Sequence, residues 1–127
     1  MNAILMAGLM HYWRATKDEK IGRLCSNIAH NMAYSWMSPI DPGLIYGSDP
    51  LQQVDVTGYA MQDVLSLFWG YELTGDEAFL QKGAQMMQAS ILDDKKNGAA
   101  FGLSRYWEMQ DILCYYGMAI DKSLQPK

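Results

Sequence analysis

Positive charge is missing from the middle of this chain. No Lys or Arg occurs from Leu24 to Gln81, a stretch that holds Asp41, Asp49, Asp55, Asp63, Glu72, Asp76 and Glu77. With a formal net charge of -4 over 127 residues, the chain lacks the basic stripe that a nucleic-acid surface needs, which excludes that class of partner. Histidine is scarce. His11 and His30 have no ligand partner at helical spacing, so no zinc or catalytic-histidine site is expected. Cys25 and Cys114 are too few for a disulfide framework; both fall on apolar faces of helical patterns and read as buried thiols. Asp41, Asp49 and Asp55 offer oxygen ligands, but their spacing matches no EF-hand loop and no metal is assigned. There is no glycine-rich phosphate loop and no nucleophile elbow, and no cofactor is implied.

Long apolar runs are also absent. Met1 to Trp13 carries no charge, but it lacks a basic start, is interrupted by His11, and falls short of the roughly 18 residues that span a bilayer. It reads as a buried helix, with no membrane partner. Without a targeting signal, the expected location is cytoplasmic for a complete chain and extracytoplasmic for a piece of a longer enzyme.

What is present is a repeat. Half of the residues are hydrophobic, enough for one core, and residues 1–127 read as a single all-α domain. Tyr59 to Leu73 is apolar nearly all round, as in a helix buried on most sides. From Glu77 on, Phe79, Leu80, Gly83, Met86, Met87, Ser90 and Ile91 recur at intervals of three and four, so this second helix buries one face only. Thr74-Gly75-Asp76-Glu77 links the two: Gly75 ends the first helix, and Thr-x-x-Glu has the form of a capping box for the second. Thr16-Lys17-Asp18-Glu19 repeats that link 58 residues earlier. It is followed by Ile21, Leu24, Cys25, Ile28, Met32 and Trp36 on one face. Met109-Gln110-Asp111-Ile112-Leu113 copies Met61-Gln62-Asp63-Val64-Leu65 at an offset of 48. Tyr115-Tyr116-Gly117 echoes Phe68-Trp69-Gly70 after a one-residue slip.

Three of the four prolines, Pro39, Pro42 and Pro50, fall in one loop from Met37 to about Asp55. A second loop runs from Asp93 to Ser104 around Asn97-Gly98. The repeats then lie near 2–36, 57–93 and 105–120, with helices expected near 2–15, 18–36, 57–73, 76–93 and 105–120 and no sheet. Periods near 50 residues, each an inner apolar helix and an outer amphipathic one, mean stacked antiparallel hairpins in a solenoid or ring.

Tyr71 to Leu80, and more weakly Tyr12 to Ile21, resemble the hairpin turn of the α/α-toroid proteins, the six-hairpin glycosidase-like superfamily. The resemblance implies an incomplete ring of about two and a half hairpins. It also implies a carbohydrate-active protein, such as a glycoside hydrolase or polysaccharide lyase acting on a neutral or uronic saccharide. No catalytic motif of one family is matched, so chemistry is argued from the residues themselves. Carboxylates can serve as acid and base on a glycosidic bond, and aromatic rings stack on sugar faces. The loops enter the inner helices at Val54 to Tyr59 and at Ser104 to Glu108, which makes Asp55 and Glu108 acid or base candidates and Tyr59, Arg105, Tyr106 and Trp107 substrate contacts. Asp55 or Thr57 serves equally as an N-cap. Asp63 and Asp111 are repeat-equivalent carboxylates inside apolar helices, where an unpaired charge is costly. They are either cavity-facing acids, which makes Asp63 and Asp111 acid or base candidates beside Asp55 and Glu108, or structural acceptors between neighbouring helices. The alternative function is a non-catalytic binding or assembly module. Its exposed inner helices, with Leu5, Leu9, Trp13, Leu113 and Tyr116, would meet another copy in a homo-oligomer.

Overall fold

The computed structural model describes residues 2–36, 44–46, 54–56, 60–97 and 109–124. Five helices dominate: α1 (Asn2–Thr16), α2 (Glu19–Asn31, continued by a π-helical segment, Met32–Trp36), α3 (Ala60–Thr74), α4 (Glu77–Asn97) and α5 (Met109–Leu124). The loop between α2 and α3 was expected to hold no strand. It contains a short antiparallel pair, β1 (Leu44–Tyr46) and β2 (Val54–Val56), with Leu44 opposite Val56 and Tyr46 opposite Val54. Its β-branched and aromatic residues favour extended backbone, and three-residue runs are too short to show against the surrounding Pro and Gly. No helix among the described residues is long and apolar enough to cross a membrane.

α3 is the axis of the domain because it is apolar all round. Every residue from Val64 to Gly70 is buried, and α1, α2, α4 and α5 all pack on it. Small residues let those neighbours approach. A Cβ on Gly70 would lie 2.8 Å from the Phe79 ring and 2.9 Å from the Ala29 methyl, and one on Gly83 would lie 2.5 Å from the Phe68 ring. A Cβ on Gly22 would lie 2.8 Å from the Trp13 indole. Each of these glycines is therefore a notch filled by a neighbouring helix. Contacts between α1 and α3 step in the same sense along both helices: His11 meets the edge of Trp69, and Arg14 meets Glu72. Phe68 stacks on Tyr115 of α5 with ring centroids 5.6 Å apart.

The two short links have the same geometry. Lys17 N donates to Trp13 O and Gly75 N to Tyr71 O, both at 2.7 Å. Thr16 Oγ1 donates to Tyr12 O at 2.9 Å and Thr74 Oγ1 to Gly70 O at 2.7 Å. The same hydroxyls accept from Asp18 N at 3.3 Å and Asp76 N at 3.2 Å. Asp18 Oδ1 then accepts from Lys20 N at 2.8 Å, and Asp76 Oδ1 from Ala78 N at 2.9 Å. The helix caps are thus the aspartates, not the threonines that a capping box would use. Each threonine instead closes the preceding helix by bonding back to its own fourth-previous carbonyl. The residue between is left-handed in both links, Lys17 at φ 56° and Gly75 at φ 73°, a conformation that costs nothing at glycine and strains the lysine. Asp76→Ala should lower stability by about 0.5–2 kcal/mol, and Thr74→Ala by less, as read in a thermal melt. A larger loss at Thr74 would return the cap to the threonine.

Burial departs from expectation at the two terminal helices. Leu9 and Trp13 of α1 and Tyr116 of α5 pack against the core, whereas Ile4, Leu5 and Tyr12 of α1 are exposed, so α1 is not buried all round. Cys25 is buried as expected, and Cys114 is exposed. α5 carries apolar residues on both its faces, so its pattern alone could not say which face is inside. Leu24, on the apolar stripe of α2, is also exposed, while Cys25 and Met32 are buried.

Candidate functional site

Of the acid and base candidates, Glu108 lies outside the described residues, as do the substrate-contact candidates Tyr59, Arg105, Tyr106 and Trp107. Asp55 sits in β2 opposite Ile45. Val56, the residue after it, is still in the strand, so Asp55 does not cap α3; the other cap candidate, Thr57, lies outside the described residues. Asp63 lies in the first turn of α3. Asp111, in the first turn of α5, is the candidate that the structure joins to a defined cluster.

That cluster is built around Arg14, in the last turn of α1. Its guanidinium grips Glu72 with two parallel hydrogen bonds, Nε to Oε1 at 3.1 Å and Nη2 to Oε2 at 2.6 Å. The remaining arm, Nη1, donates to Asp111 Oδ2 at 3.1 Å. Tyr115 donates its hydroxyl to Glu72 Oε2 at 2.6 Å. One residue from each of α1 and α3 and two from α5 thus meet at a single half-buried point, and the fork geometry of arginine suits two carboxylates at once. The Arg14 guanidinium also lies 5.8 Å from the centre of the Trp69 ring, within cation–π range.

The electrostatics fix the protonation of Arg14, Glu72 and Tyr115. Hydrogen bonding to Glu72 raises the Arg14 pKa against the opposing effect of burial, so the guanidinium stays charged. Burial pushes the Glu72 carboxyl up, but the hydrogen bonds from Arg14 and Tyr115 outweigh it and hold the group below the usual carboxylate range. Burial, reinforced by the bond to Glu72, pushes the Tyr115 phenol above its ordinary value, so it stays protonated. At neutral pH Glu72 is an ionised acceptor already holding three hydrogen bonds, and neither Arg14 nor Tyr115 is poised to exchange a proton. Chemically the group is a clamp between helices, in which Asp111 accepts from Arg14.

Sequence reasoning missed Arg14, Glu72 and Tyr115. The signal was available: Arg14 and Glu72 are 58 residues apart, the offset of the repeat, so opposite charges occupy equivalent positions on two apolar helices. Nearby, Ser66 Oγ and Trp69 Nε1 are buried without a hydrogen-bond partner among the described residues. A groove of about 720 Å³ runs between α4 and α5, lined in part by Gln81, Gln85, Gln88, Tyr116 and Ile120. Gln88 donates to the Tyr116 hydroxyl at 3.1 Å across it, and Lys122 pairs with Glu77 at one end. Among the described residues no group of three or more His, Cys, Asp or Glu is arranged to hold a metal ion. Comparison with protein-family models, with curated proteins and with solved structures finds no match.

Proposed function

We propose that the chain is part of a carbohydrate-active protein of the α/α-toroid type. In this reading α1 with α2 and α3 with α4 are antiparallel hairpins, and α5 is the inner helix of a third. The observation that carries it is the register between inner helices. His11–Trp69 and Arg14–Glu72 are both 58 residues apart, and Phe68–Tyr115 are 47 apart, so equivalent positions of successive repeats stand side by side, as stacked hairpins require. The ligand is a neutral or uronic saccharide, and the reaction is hydrolysis or elimination by carboxylate acid and base. Asp111, held by Arg14, serves as the charge partner that locks α5 to α1. The acid and base candidates are Asp55, Asp63, Glu108 and Asp111, with Tyr59, Arg105, Tyr106 and Trp107 against the sugar.

Release of reducing ends and of unsaturated products over a panel of neutral and uronic polysaccharides tests this reading. The expected result is turnover of one substrate class that falls by about 10²-fold or more in at least one of Asp55→Asn, Asp63→Asn and Glu108→Gln. A folded protein inert on the whole panel, or variants all as active as the parent, would count against it. The second reading, a non-catalytic repeat module, is favoured by how the described carboxylates are engaged. Asp18 and Asp76 cap helices, Glu72 and Asp111 hold Arg14, and Glu77 pairs with Lys122. Saccharide binding without turnover in any condition would select it.

A further inference from the structure

The helices are not all held in the same way. Every residue from Val64 to Gly70 of α3 is buried, but along α5, from Gln110 to Ser123, only Ile112 and Ala119 are. A helix with so thin an apolar seam depends on its polar ties. Among the described residues those ties converge on carboxylates. Tyr115 donates to Glu72, Asp111 accepts from Arg14, and Lys122 pairs with Glu77 of α4. Two weaker contacts involve no carboxylate: Gln88 donates to the Tyr116 hydroxyl, and the Lys122 ammonium lies 5.7 Å from the centre of the Tyr71 ring. The groove of about 720 Å³ interrupts the packing of α5 on α4. Arg14 also joins α1 to Glu72, but α1 is held in other ways. Met6, Ala7 and Met10 anchor it in the core, and its Trp13 indole fills the notch at Gly22.

We propose that α5 is a detachable helix, docked through carboxylates and released by acid while α1 to α4 stay folded. Glu72 is the central tie. Arg14 of α1 and Tyr115 of α5 bond to it, Lys17 of the first link adds its positive charge, Asp111 shares the guanidinium, and His11 stands at the edge of Trp69 one turn back on α3. Because Arg14 and Tyr115 hold its carboxyl below the ordinary range, Glu72 keeps its charge above the unfolded value of about 4.3 and loses it as pH falls through the depressed folded value. A neutral carboxyl gives up the paired, charge-assisted bonds to the guanidinium. Protonation of Asp111 frees the last arm of Arg14, and protonation of Glu77 frees Lys122. α5 then keeps only its apolar seam. Asp18 and Asp76 also carry carboxylates, but each bonds within its own link and joins no helices across the core. The contacts at Gly22, Gly70 and Gly83 hold no charge and are untouched by acid. Release uncovers the Phe68 ring where Tyr115 stacks on it. None of this depends on either reading of the proposed function, so an inert polysaccharide panel leaves it standing.

Hydrogen exchange read by mass spectrometry, corrected for the intrinsic exchange rate at each pH, tests the release. Peptides covering α5 and α3 are compared at neutral pH and at about pH 3.5, below the ordinary carboxylate value. On acidification the α5 peptides should lose about tenfold or more of their protection, the effect of one unit of pKa difference, while the α3 peptides keep theirs. A triple variant, Glu72→Gln with Asp111→Asn and Glu77→Gln, imitates the protonated carboxyls at neutral pH and leaves both histidines as they are. It should show the same selective loss in α5 without acid. Protection of α5 that survives at the lower pH, loss from α3 and α5 together in either protein, or parent-like exchange of α5 in the triple variant would each overturn the proposal.

Discussion

Replacing Phe68 with alanine is expected to lower stability by about 3–5 kcal/mol, a large part of the roughly 5–15 kcal/mol that holds a domain of this size together. Phe68 is fully buried, and its ring ties three helices: it belongs to α3, fills the notch at Gly83 of α4, and stacks on Tyr115 of α5. Truncation removes its own burial and leaves a cavity that rigid neighbours cannot close. Chemical denaturation measures the loss, and a double-mutant cycle identifies its cause. Gly83→Ala in the parent drives a methyl into the ring, at a cost of about 1–3 kcal/mol only partly offset by the better helix propensity of alanine. In the Phe68→Ala background the same methyl enters vacated space, and the substitution should become neutral or stabilising. Equal losses in both backgrounds would mean that Gly83 is not there to admit the ring.

Glu72→Ala should cost about 1.5–3 kcal/mol, the range for hydrogen bonds to charged groups, because it leaves the Arg14 guanidinium and the Tyr115 hydroxyl half-buried with their main acceptor gone. The pH dependence gives an independent reading. The folded Glu72 carboxyl is held below its ordinary value by Arg14 and Tyr115 despite burial. Its contribution is therefore complete above the unfolded carboxylate pKa of about 4.3, and it is lost as pH falls through the depressed folded value. Other acids titrate over the same range, so the comparison is with Glu72→Gln. Between about pH 6 and about pH 3 the parent should lose more stability than that variant. Parallel pH profiles for the two proteins would remove Glu72 from the account of acid stability.

The sequence announced what depends on near neighbours. The Thr-x-Asp-Glu links were legible because a helix stop, a left-handed residue and a cap are set within five positions. The burial of α3 was legible because no single stripe could hold so many apolar residues. Even there the pattern could not choose between Thr and Asp as the cap, since both have an acceptor oxygen at a suitable place. The clamp was harder to see because its members are 43, 58 and 97 residues apart, and nothing local to Arg14 says which carboxylate it meets. The outward faces of α1 and α5 failed for a related reason. An apolar residue reads as buried until the neighbours of its helix are known, and Leu9, Trp13 and Tyr116 turned inward while Ile4, Leu5 and Cys114 did not.

The bond between Arg14 and Asp111 also sets an order of events during synthesis. The two residues leave the ribosome 97 positions apart, and at about 5–20 residues per second Asp111 follows Arg14 by roughly 5–20 s. α1, α2 and α3 are available to assemble well before that, with Glu72 arriving in time to neutralise the guanidinium. Closing the last arm of the clamp waits for α5, and until then the nascent protein carries the Phe68 ring without the Tyr115 ring that stacks on it.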